Sequence, residues 1–529
     1  MLNLPISLYA NIYVIHSVIY NVKSNENDNT WWYNGVKGGG MWPLRLLIYR
    51  KGDPAEETLK GISGVSRLFL YCFVCRFGNG TASCSFEEYA ELFRLNSKHV
   101  GRAVQELGAS GVVAISKEHG VDHRPKRLIQ VDDDFAEALK GSFKNCPVEV
   151  EETLIRKVAF GCLCQEKGMK LTPLNRLFLS VLLSHSSKVG RVVDLGHASL
   201  SKLTGFSVDQ RRSQVSRLAD LGFLRALVPG VTGRYLFGSA KSQYFLNMGH
   251  PAFGENSRSE TLLVGRGFAG DEDWLGGQAE ALFKGAREVN QLVPGIVKEE
   301  GRSDVALRKV VRFERKWGLK RAGLEQGGAG YQQLSDLTAL FKDLPLEGYI
   351  SYLQAKINEY ASELLSEFQD QDGLQLLEVA ILAKIGEELV IGNEPGAKAF
   401  KTAILTASQR QAERARLLLD GVKKELGLAE GAEKGGDTEF VILPMLESHP
   451  ASGNMLTLCV SSSGPSPLTE SPYWNIRLTM GWGREYCIST AESQPDSSFL
   501  EEGMQVVCGL KAKAKRYPER ASNADATIT

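Results

Sequence analysis

The chain has 529 residues, of which 43% are hydrophobic and 23% are charged, and its formal net charge is zero. This length exceeds what one hydrophobic core supports, so several domains are expected, and the balanced charge by itself argues against a nucleic-acid-binding protein. Nine cysteines scattered over the chain exclude a secreted disulfide framework and favour a reducing, cytoplasmic setting.

Although the net charge is zero, the charged residues are unevenly distributed along the chain. Residues 167–250 hold twelve Lys and Arg against three Asp and Glu, and residues 302–321 hold eight against two. Residues 325–440, by contrast, hold eleven against twenty. Because local basic surfaces matter more for binding a polyanion than the sum over the chain, the net charge does not decide the question.

Residues 1–40 differ in composition from the rest of the chain. The first 22 residues are uncharged but contain Pro5, Asn11 and His16, and no basic segment precedes them, so a membrane span is the least favoured interpretation. We expect residues 1–40 to be an N-terminal extension upstream of a natural start at Met41, with a peripheral hairpin as the alternative.

The segment 58–135 predicts a first unit built from a helix, a helix pair and a hairpin. Apolar residues recur at helical spacing on both sides of a short turn, and Ser97 is expected to cap the second helix of the pair. Two strands then flank a polar tip, and residues 132–150 are expected to be a linker. The predicted helices cover 59–76, 86–93 and 97–109, and the predicted strands cover 112–117 and 126–131.

The segment 148–250 repeats this pattern. Arg-Leu-Phe-Leu opens the first unit at 67–70 and the second at 176–179, and the distances to the end of each helix pair are similar. Ser207 and Gln210 have the spacing of a capping box at the start of the second helix. Arg211 departs from the pattern, because an apolar residue is expected there. Strands are predicted at 223–227 and 235–246.

The remaining chain changes its periodicity twice. Residues 255–436 read as a helical bundle or a dimerisation segment, because the predicted helices 349–368 and 402–427 are long for a small bundle. Residues 437–517 predict a small antiparallel β domain of five short strands. The tail 518–529 is expected to be disordered.

Two matched helix pairs, each followed by a hairpin, resemble the tandem winged helix-turn-helix DNA-binding proteins of bacteria, which include transcriptional regulators and replication initiators of mobile elements. The resemblance covers residues 58–131 and 148–248 and implies α+β winged-helix units there. Together with the helical middle segment and the small C-terminal antiparallel β domain predicted from periodicity, the expected fold is multidomain and mainly α. The resemblance also implies that the outward face of each second helix reads base edges and that each hairpin lies over phosphates. The residues that match these positions are Ser97, Lys98, His99, Arg102 and Gln105 in the first unit, Asp209, Gln210, Arg212, Ser213, Ser216 and Arg217 in the second, and Lys126, Arg127 and Arg234 on the hairpins.

The sequence contains no motif for catalysis or cofactor binding. The Walker loop, GxSxG, HExxH and paired CxxC motifs are absent, so no catalytic residue, metal or cofactor is expected. Cys72 and Cys75 have CxxC spacing, but their apolar surroundings favour buried cysteines over a metal site that Cys84 and His99 would complete.

We therefore expect a cytoplasmic, non-catalytic protein that binds duplex DNA sequence-specifically as a homodimer, without membrane attachment. It would act as a transcriptional regulator or as an origin-binding replication protein of a bacterial mobile element. The alternative is an assembly scaffold whose winged helices dock other proteins. A third interpretation is an enzyme whose site lies in the helical or β region.

Overall fold

The structure is a computed structural model. It describes residues 8–16, 42–48, 54–119, 125–141, 148–163, 170–193, 195–232, 236–266, 277–298, 304–319, 337, 346–367, 371–390, 396–425, 438–444, 455–462, 474–480 and 486–488. These residues form a mainly helical protein with small antiparallel sheets. None of the described helices is long and apolar enough to cross a membrane.

The first unit follows a strand, β1 (Leu8–His16), and two short helices, α1 (Arg45–Ile48) and α2 (Pro54–Thr58). Its elements are α3 (Gly64–Phe77), β2 (Thr81–Cys84), α4 (Phe86–Leu92), α5 (Ser97–Ala109), β3 (Val113–His119) and β4 (Pro125–Val131). The strands form an antiparallel sheet in the order β2-β4-β3. The predicted helix pair and hairpin are present, and β2 adds a strand that the sequence did not predict.

The expected linker 132–150 contains a helix instead, α6 (Asp133–Gly141). The carboxylate of Asp132 accepts a hydrogen bond from the backbone N–H of Phe135 at 2.9 Å, which satisfies one of the unpaired donors at the start of this helix. Phe135, Ala136 and Leu139 are buried against the first unit. The acidic residues here therefore start a helix rather than a linker.

The second unit has the same element order as the first. After α7 (Glu152–Phe160) come α8 (Pro173–Ser184), β5 (Arg191–Val192), α9 (His197–Thr204), α10 (Val208–Asp220), β6 (Leu224–Val228) and β7 (Gln243–Leu246). The strand order β5-β7-β6 matches that of the first sheet. The repeat in the sequence thus corresponds to a repeat of element order and of strand order.

The two units share one apolar core. Phe69 and Phe93 of the first unit lie 5.3 Å apart by ring centroids, and Phe160 extends the same aromatic cluster at 5.8 Å from Phe93. Residues of both units belong to one buried cluster that includes Leu68 and Leu177. The two units are therefore packed against each other through this shared core.

A C-terminal body follows the 3-10 helix Pro251–Asn256. It contains β8 (Ser259–Arg266), α11 (Gln278–Lys298), α12 (Asp304–Lys316), α13 (Leu346–Glu367), α14 (Gln371–Glu388), α15 (Ala397–Glu425), β9 (Thr438–Leu443), β10 (Met455–Ser462), β11 (Trp474–Met480) and β12 (Tyr486–Ile488). Six strands form one antiparallel sheet in the order β12-β11-β1-β8-β10-β9. The predicted strand after β12 and the predicted tail 518–529 lie outside the described residues.

This sheet crosses the domain boundaries predicted from the sequence. β1 comes from the expected extension 1–40 and β8 from the expected helical segment 255–436, yet both pair with each other and with strands of the segment 437–517. Helices and sheet are also joined, because the backbone N–H of Ile442 donates to Ser362 Oγ of α13 at 2.9 Å. The β strands therefore belong to the same body as the helices.

Contacts within the chain explain the length of α13. Leu353, Ile357, Ala361 and Leu364 are fully buried, and the helix packs against α15 and β9. A long apolar helix is thus needed here to cover both a helix and a sheet, which removes α13 as evidence for a dimer interface.

Candidate nucleic-acid interface

The candidate recognition helix of the first unit, α5, begins after a tight turn. Arg94 has a positive φ of 49° in this turn, and the N-cap of α5 is Asn96, whose side chain accepts from the backbone N–H of Lys98 at 2.9 Å. The expectation that Ser97 caps the helix is wrong. An asparagine one residue earlier fills the cap equally well, so Ser97 becomes the first residue of the helix.

The two faces of α5 differ in polarity. Val100, Ala103, Val104 and Leu107 are buried, as the helical spacing predicts. Of the predicted outward residues, three are exposed and two are half-buried; the exposed ones are Lys98, Arg102 and Gln105, and the half-buried ones are Ser97 and His99. The outward face therefore presents two cations and an amide.

The candidate recognition helix of the second unit, α10, follows a turn at Gly205. This glycine has a φ of 70°, and a Cβ there would lie 2.5 Å from the carbonyl oxygen of Ile62. The predicted capping box is confirmed: Gln210 N–H donates to Ser207 Oγ at 3.3 Å and Ser207 N–H donates to Gln210 Oε1 at 3.0 Å. Asp209, Gln210, Arg212, Ser213 and Ser216 are exposed, and Arg217 is half-buried.

The inward face of α10 explains the departure at Arg211. The Arg211 side chain is buried and donates from Nη1 to the carbonyl of His197 at 3.0 Å and to Ser201 Oγ at 3.1 Å. Gln214 is also buried and accepts from Asn175 Nδ2 at 2.5 Å. Leu218 occupies the predicted inward position, whereas Val215 is only half-buried. Hydrogen bonds to α8 and α9 thus anchor α10 where α5 uses apolar packing.

The repeated Arg-Leu-Phe-Leu motif joins the two helix pairs. Arg176 of the second unit is buried and donates to the carbonyls of Phe93 at 2.8 Å and Arg94 at 2.9 Å, at the end of α4 in the first unit. Its Nε also donates to the carbonyl of Ala159 at 2.8 Å. Carbonyls at the end of a helix have no partner within it and carry partial negative charge, so a guanidinium satisfies both requirements.

Arg67 makes the reciprocal contact from the first unit. Its Nη1 donates to the carbonyls of Lys202 at 2.5 Å and Leu203 at 3.3 Å, at the end of α9 in the second unit. Its Nε donates to the carbonyl of Ile62 at 2.9 Å. Each motif arginine therefore binds the end of the helix that precedes the other unit's candidate recognition helix. This exchange fixes the two helix pairs relative to each other.

The two candidate recognition helices line one cleft of about 610 Å³. Its walls include Arg102, Gln105 and His99 from α5, and Phe206 and Gln210 from the start of α10. The Nδ1 atom of His99 has no hydrogen-bond partner among the described residues. The outward face of α5 and the first turn of α10 thus belong to one continuous surface.

Glu106 lies in this cleft and was not predicted as a site residue. Its carboxylate accepts from the backbone N–H and from Oγ of Ser63, both at 2.6 Å, and from Ser66 Oγ. These groups lie at the start of α3, so the carboxylate complements the positive end of that helix. Partial burial acts to raise the pKa of Glu106, but the hydrogen bonds from Ser63 and Ser66 outweigh it and lower that pKa.

We expect Glu106→Gln to lower the free energy of unfolding by about 1 kcal/mol near neutral pH, because a charged hydrogen-bond acceptor is replaced by a neutral one. A lowered pKa in the folded state stabilises the fold above the unfolded-state value of about 4.3 and ceases to do so as the pH falls through the folded-state value. The two proteins should therefore converge in stability as the pH falls from about 4.3 through the lower, folded-state pKa of Glu106.

Urea denaturation at a series of pH values measures this convergence. Glu57→Gln is the matched control, because that carboxylate is 81% exposed on α2 and makes one exposed ion pair with Lys60. A constant gap between Glu106→Gln and wild type at every pH would show that the Glu106 charge is not what stabilises α3.

The first hairpin, β3–β4, carries two of the predicted cations. Arg127 is half-buried, with its guanidinium 5.7 Å above the ring centroid of Phe86. Lys126 lies in β4 opposite Glu118. Arg127 therefore packs on the start of α4, next to the helix pair, where a phosphate contact and a cation–π contact are compatible.

The second hairpin, β6–β7, is attached to the C-terminal body. Phe237 contacts Tyr352 of α13 with ring centroids 5.1 Å apart, and the backbone N–H of Val390 donates to the carbonyl of Leu236 at 2.7 Å. Val231 is buried in the same core. Arg234 lies outside the described residues. The second hairpin therefore packs against the C-terminal body.

Sequence reasoning missed Val208, the first residue of α10. Its side chain is 50% exposed, although the residue is apolar. An apolar side chain at the start of a recognition helix suits contact with the methyl group of thymine. The sequence could have indicated this residue, because Val208 directly follows the predicted cap Ser207.

Metal ligands are not assembled in the described part of the chain. No group of three or more His, Cys, Asp or Glu residues that could hold a metal ion occurs there. Cys72 and Cys75 are buried in α3, and burial raises the pKa of the Cys75 thiol to about 12. Comparisons of the chain with protein-family models, with curated proteins and with solved structures found no match.

Proposed function

We propose that the two N-terminal units are winged helix-turn-helix units and that the protein binds duplex DNA sequence-specifically, without catalysis. The observation that carries this proposal is the shared surface of α5 and α10. Both helices bury one face and expose a polar one, and the outward face of α5 borders the same cleft as Gln210 in the first turn of α10. A helix with a free polar face is narrow enough to enter the major groove and read base edges.

The reciprocal arginine contacts support a single composite binding surface. Arg67 and Arg176 join the helix pairs through buried hydrogen bonds, so α5 and α10 are presented to DNA in a fixed arrangement. Because Arg102 and Gln210 border one cleft, we expect one contiguous DNA site per chain rather than two half-sites a full helical turn apart.

In this proposal the protein acts as a transcriptional regulator or as an origin-binding replication protein of a bacterial mobile element. The resemblance of the repeated sequence pattern to those proteins supports this class. The resemblance supports DNA contact and does not distinguish between these two processes. A cytoplasmic location is part of the same proposal.

Binding of the full chain to random duplex DNA at low and at high salt tests the proposal. We expect clear binding at low salt that weakens steeply with added salt, because protein cations displace counterions from the phosphates. Selection from a random duplex library should then enrich one contiguous sequence. Absence of binding at both salt concentrations would contradict the proposal.

The second candidate is an assembly scaffold whose winged helices dock proteins. Two carboxylates favour it, because Glu106 and Asp209 lie on the surface that would face DNA. Asp209 is 93% exposed and only 3.8 Å from Arg212, so this exposed ion pair opens at little cost. A scaffold would show no binding to duplex DNA at either salt concentration.

We also propose that the protein forms a homodimer. Since α13 is covered within the chain, the support comes from exposed apolar residues of the C-terminal body: Leu376 and Val379 on α14, and Leu417 on α15. Sedimentation velocity of the full chain tests this, and a single monomeric species across the accessible concentration range would contradict it.

A further inference from the structure

A cavity of about 390 Å³ lies where the second unit meets the C-terminal body. Its walls come from β5 and β7 of the second unit, from α13 and α14, and from β9 of the large sheet. The side chains of Lys384 and Glu363 line it and are 36% and 34% exposed, so the cavity opens to solvent beside them. Its volume lies within the range of about 300–1,000 Å³ that is typical of small-molecule sites, which often occur where domains meet.

Much of the cavity wall is apolar. Phe245 of β7 and Val189 contribute from the second unit, and Phe440, Val441 and Ile442 contribute from β9. Val189 and Phe440 are only half-buried, so part of their apolar surface is in contact with water. An apolar group that enters the cavity removes such surface from water, which favours its binding.

The polar part of the cavity belongs to a network of ion pairs. Glu359 of α13 is 6% exposed at its side chain and binds Arg191 of β5. It also binds Lys356 at 2.9 Å and Lys384 of α14 at 3.0 Å. Burial acts to raise the pKa of Glu359, but the charges of these three cations outweigh it and lower that pKa, so the carboxylate stays ionised.

This network has no net charge. Its described members are three cations and three carboxylates, namely Arg191, Lys356, Lys384, Glu359, Glu363 and Glu388. Glu439 also lines the cavity and takes part in an interaction of its own. A charged ligand must therefore open an existing pair to gain a partner, whereas an uncharged ligand leaves the network intact.

Arg191 brings one unused hydrogen-bond donor to the cavity. Its Nη2 binds Glu359, whereas its Nε is shielded from solvent and has no hydrogen-bond partner among the described residues. A buried donor without an acceptor is unfavourable, so an acceptor that reaches this N–H gains a hydrogen bond at little cost. The ion pair with Glu359 holds the guanidinium in place, so the donor is already positioned before a ligand binds.

We propose that this cavity binds an uncharged small molecule that has an apolar body and a carbonyl-type hydrogen-bond acceptor. The apolar body packs against Phe245 and Phe440, and the acceptor receives the hydrogen bond from Arg191 Nε. The inference is independent of the proposed function, because the cavity lies apart from the cleft between α5 and α10 and shares no lining residue with it.

The test titrates the full chain with three probes of similar size that differ in charge. Benzamide is uncharged and carries a carbonyl acceptor, benzoate is an anion, and benzylamine is a cation at neutral pH. Saturation-transfer-difference NMR gives the Kd of each probe. We expect benzamide to bind with a Kd on the order of 1 mM, as befits a fragment of its size, and each charged probe to bind at least about tenfold more weakly.

Two variants show whether the probe binds in this cavity. Arg191→Lys keeps a cation for Glu359 but lacks the Nε–H donor, so the Kd of benzamide should rise roughly tenfold. Ser366→Trp adds a large side chain at an exposed position of the cavity wall and should weaken benzamide binding at least as much. Arg287→Lys on α11 is the matched control and should bind like wild type, because Arg287 is exposed and does not line the cavity.

Thermal melts followed by circular dichroism check that the variants are folded. Glu359 keeps both lysines in Arg191→Lys, and Ser366 is exposed, so both variants should melt like wild type. If Arg191→Lys does not fold, the result for Ser366→Trp decides.

Three results would overturn the inference. They are the absence of benzamide binding up to about 10 mM, benzamide binding that is unchanged in both variants, and tighter binding of benzoate or benzylamine than of benzamide. A wild-type protein that binds benzamide in this cavity but does not bind duplex DNA would support the inference and overturn the proposed function. DNA binding without benzamide binding would have the opposite meaning.

Discussion

Arg176→Ala should lower the free energy of unfolding by about 3–5 kcal/mol. The guanidinium donates to the carbonyls of Ala159, Phe93 and Arg94, and Arg176 is 2% exposed. Removing it leaves buried carbonyl oxygens without a donor and an empty space between the two units. Urea denaturation followed by circular dichroism and by tryptophan fluorescence measures the loss.

Two further variants show whether the geometry or the charge is responsible. Arg67→Ala should have a comparable effect, because Arg67 makes the reciprocal contacts in the other direction. Arg176→Lys keeps the charge but loses the planar fork that reaches several carbonyls at once, so it should recover only a small part of the stability. Arg212→Ala is the control: this side chain is 79% exposed, so its removal should change stability by less than about 0.5 kcal/mol.

A loss below about 1 kcal/mol in both Arg67→Ala and Arg176→Ala would mean that the units are joined by apolar packing alone. Arg67 and Arg176 belong to one interface, so their effects need not add in the double variant. An effect of the double variant that is clearly smaller than the sum would indicate that the two arginines act as a unit, so that losing either one already disrupts the interface.

Arg102→Ala and Arg217→Ala should each reduce affinity for the selected DNA site more than affinity for random DNA, by about 1–3 kcal/mol. Arg102 is exposed on α5 and borders the cleft, and Arg217 is half-buried on α10. A guanidinium that reads a guanine makes two hydrogen bonds to its edge, and a wrong base leaves those donors unpaired. Fluorescence anisotropy with both DNA types gives the difference directly.

Lys126→Ala is the matched comparison, because Lys126 lies on the first hairpin rather than on a recognition helix. Loss of a phosphate contact should weaken binding to both DNA types alike and lower the salt slope by about one. The fold should be unaffected by all three changes. Arginine variants that remain folded and bind like wild type would make the recognition-helix assignment wrong, and protein docking would become the better interpretation.

The first unit shows which features were accessible from sequence. Val100, Val104 and Leu107 recur at helical spacing, and each of them is buried in α5. The capping box of Ser207 and Gln210 was also predicted, and both of its hydrogen bonds are present. Periodicity and capping depend on residues within four positions of one another, so a sequence displays them directly.

The strands β2 and β5 show why some elements were missed. β2 has four residues and β5 has two, which is too short for an alternating pattern to be visible. Each becomes a strand because β4 or β7 offers it an edge. Strand formation there depends on a partner tens of residues away, and local propensity does not reveal it.

Some properties of the candidate site were likewise predictable from the sequence, and others were not. The exposure of Arg102, Arg212 and Ser213 follows from helical periodicity and was predictable. The role of Arg176 was not, because the carbonyls that it binds, at Phe93 and Arg94, lie more than 80 positions earlier in the chain. The sequence shows the repeated motif, but it does not show which carbonyls the motif arginines bind.

By itself, the sequence determined the helix pairs, the capping box of α10 and the inward face of α5, because these depend on hydrogen bonds and side-chain spacing within a few residues. Only the tertiary structure decided that β1 and β8 share a sheet with β9 to β12, that the second hairpin is covered by the C-terminal body, and that α5 and α10 border one cleft. Each of these depends on which distant surfaces bury one another. That choice is made by the summed burial of apolar area and by the pairing of buried polar groups, which no short window of sequence contains.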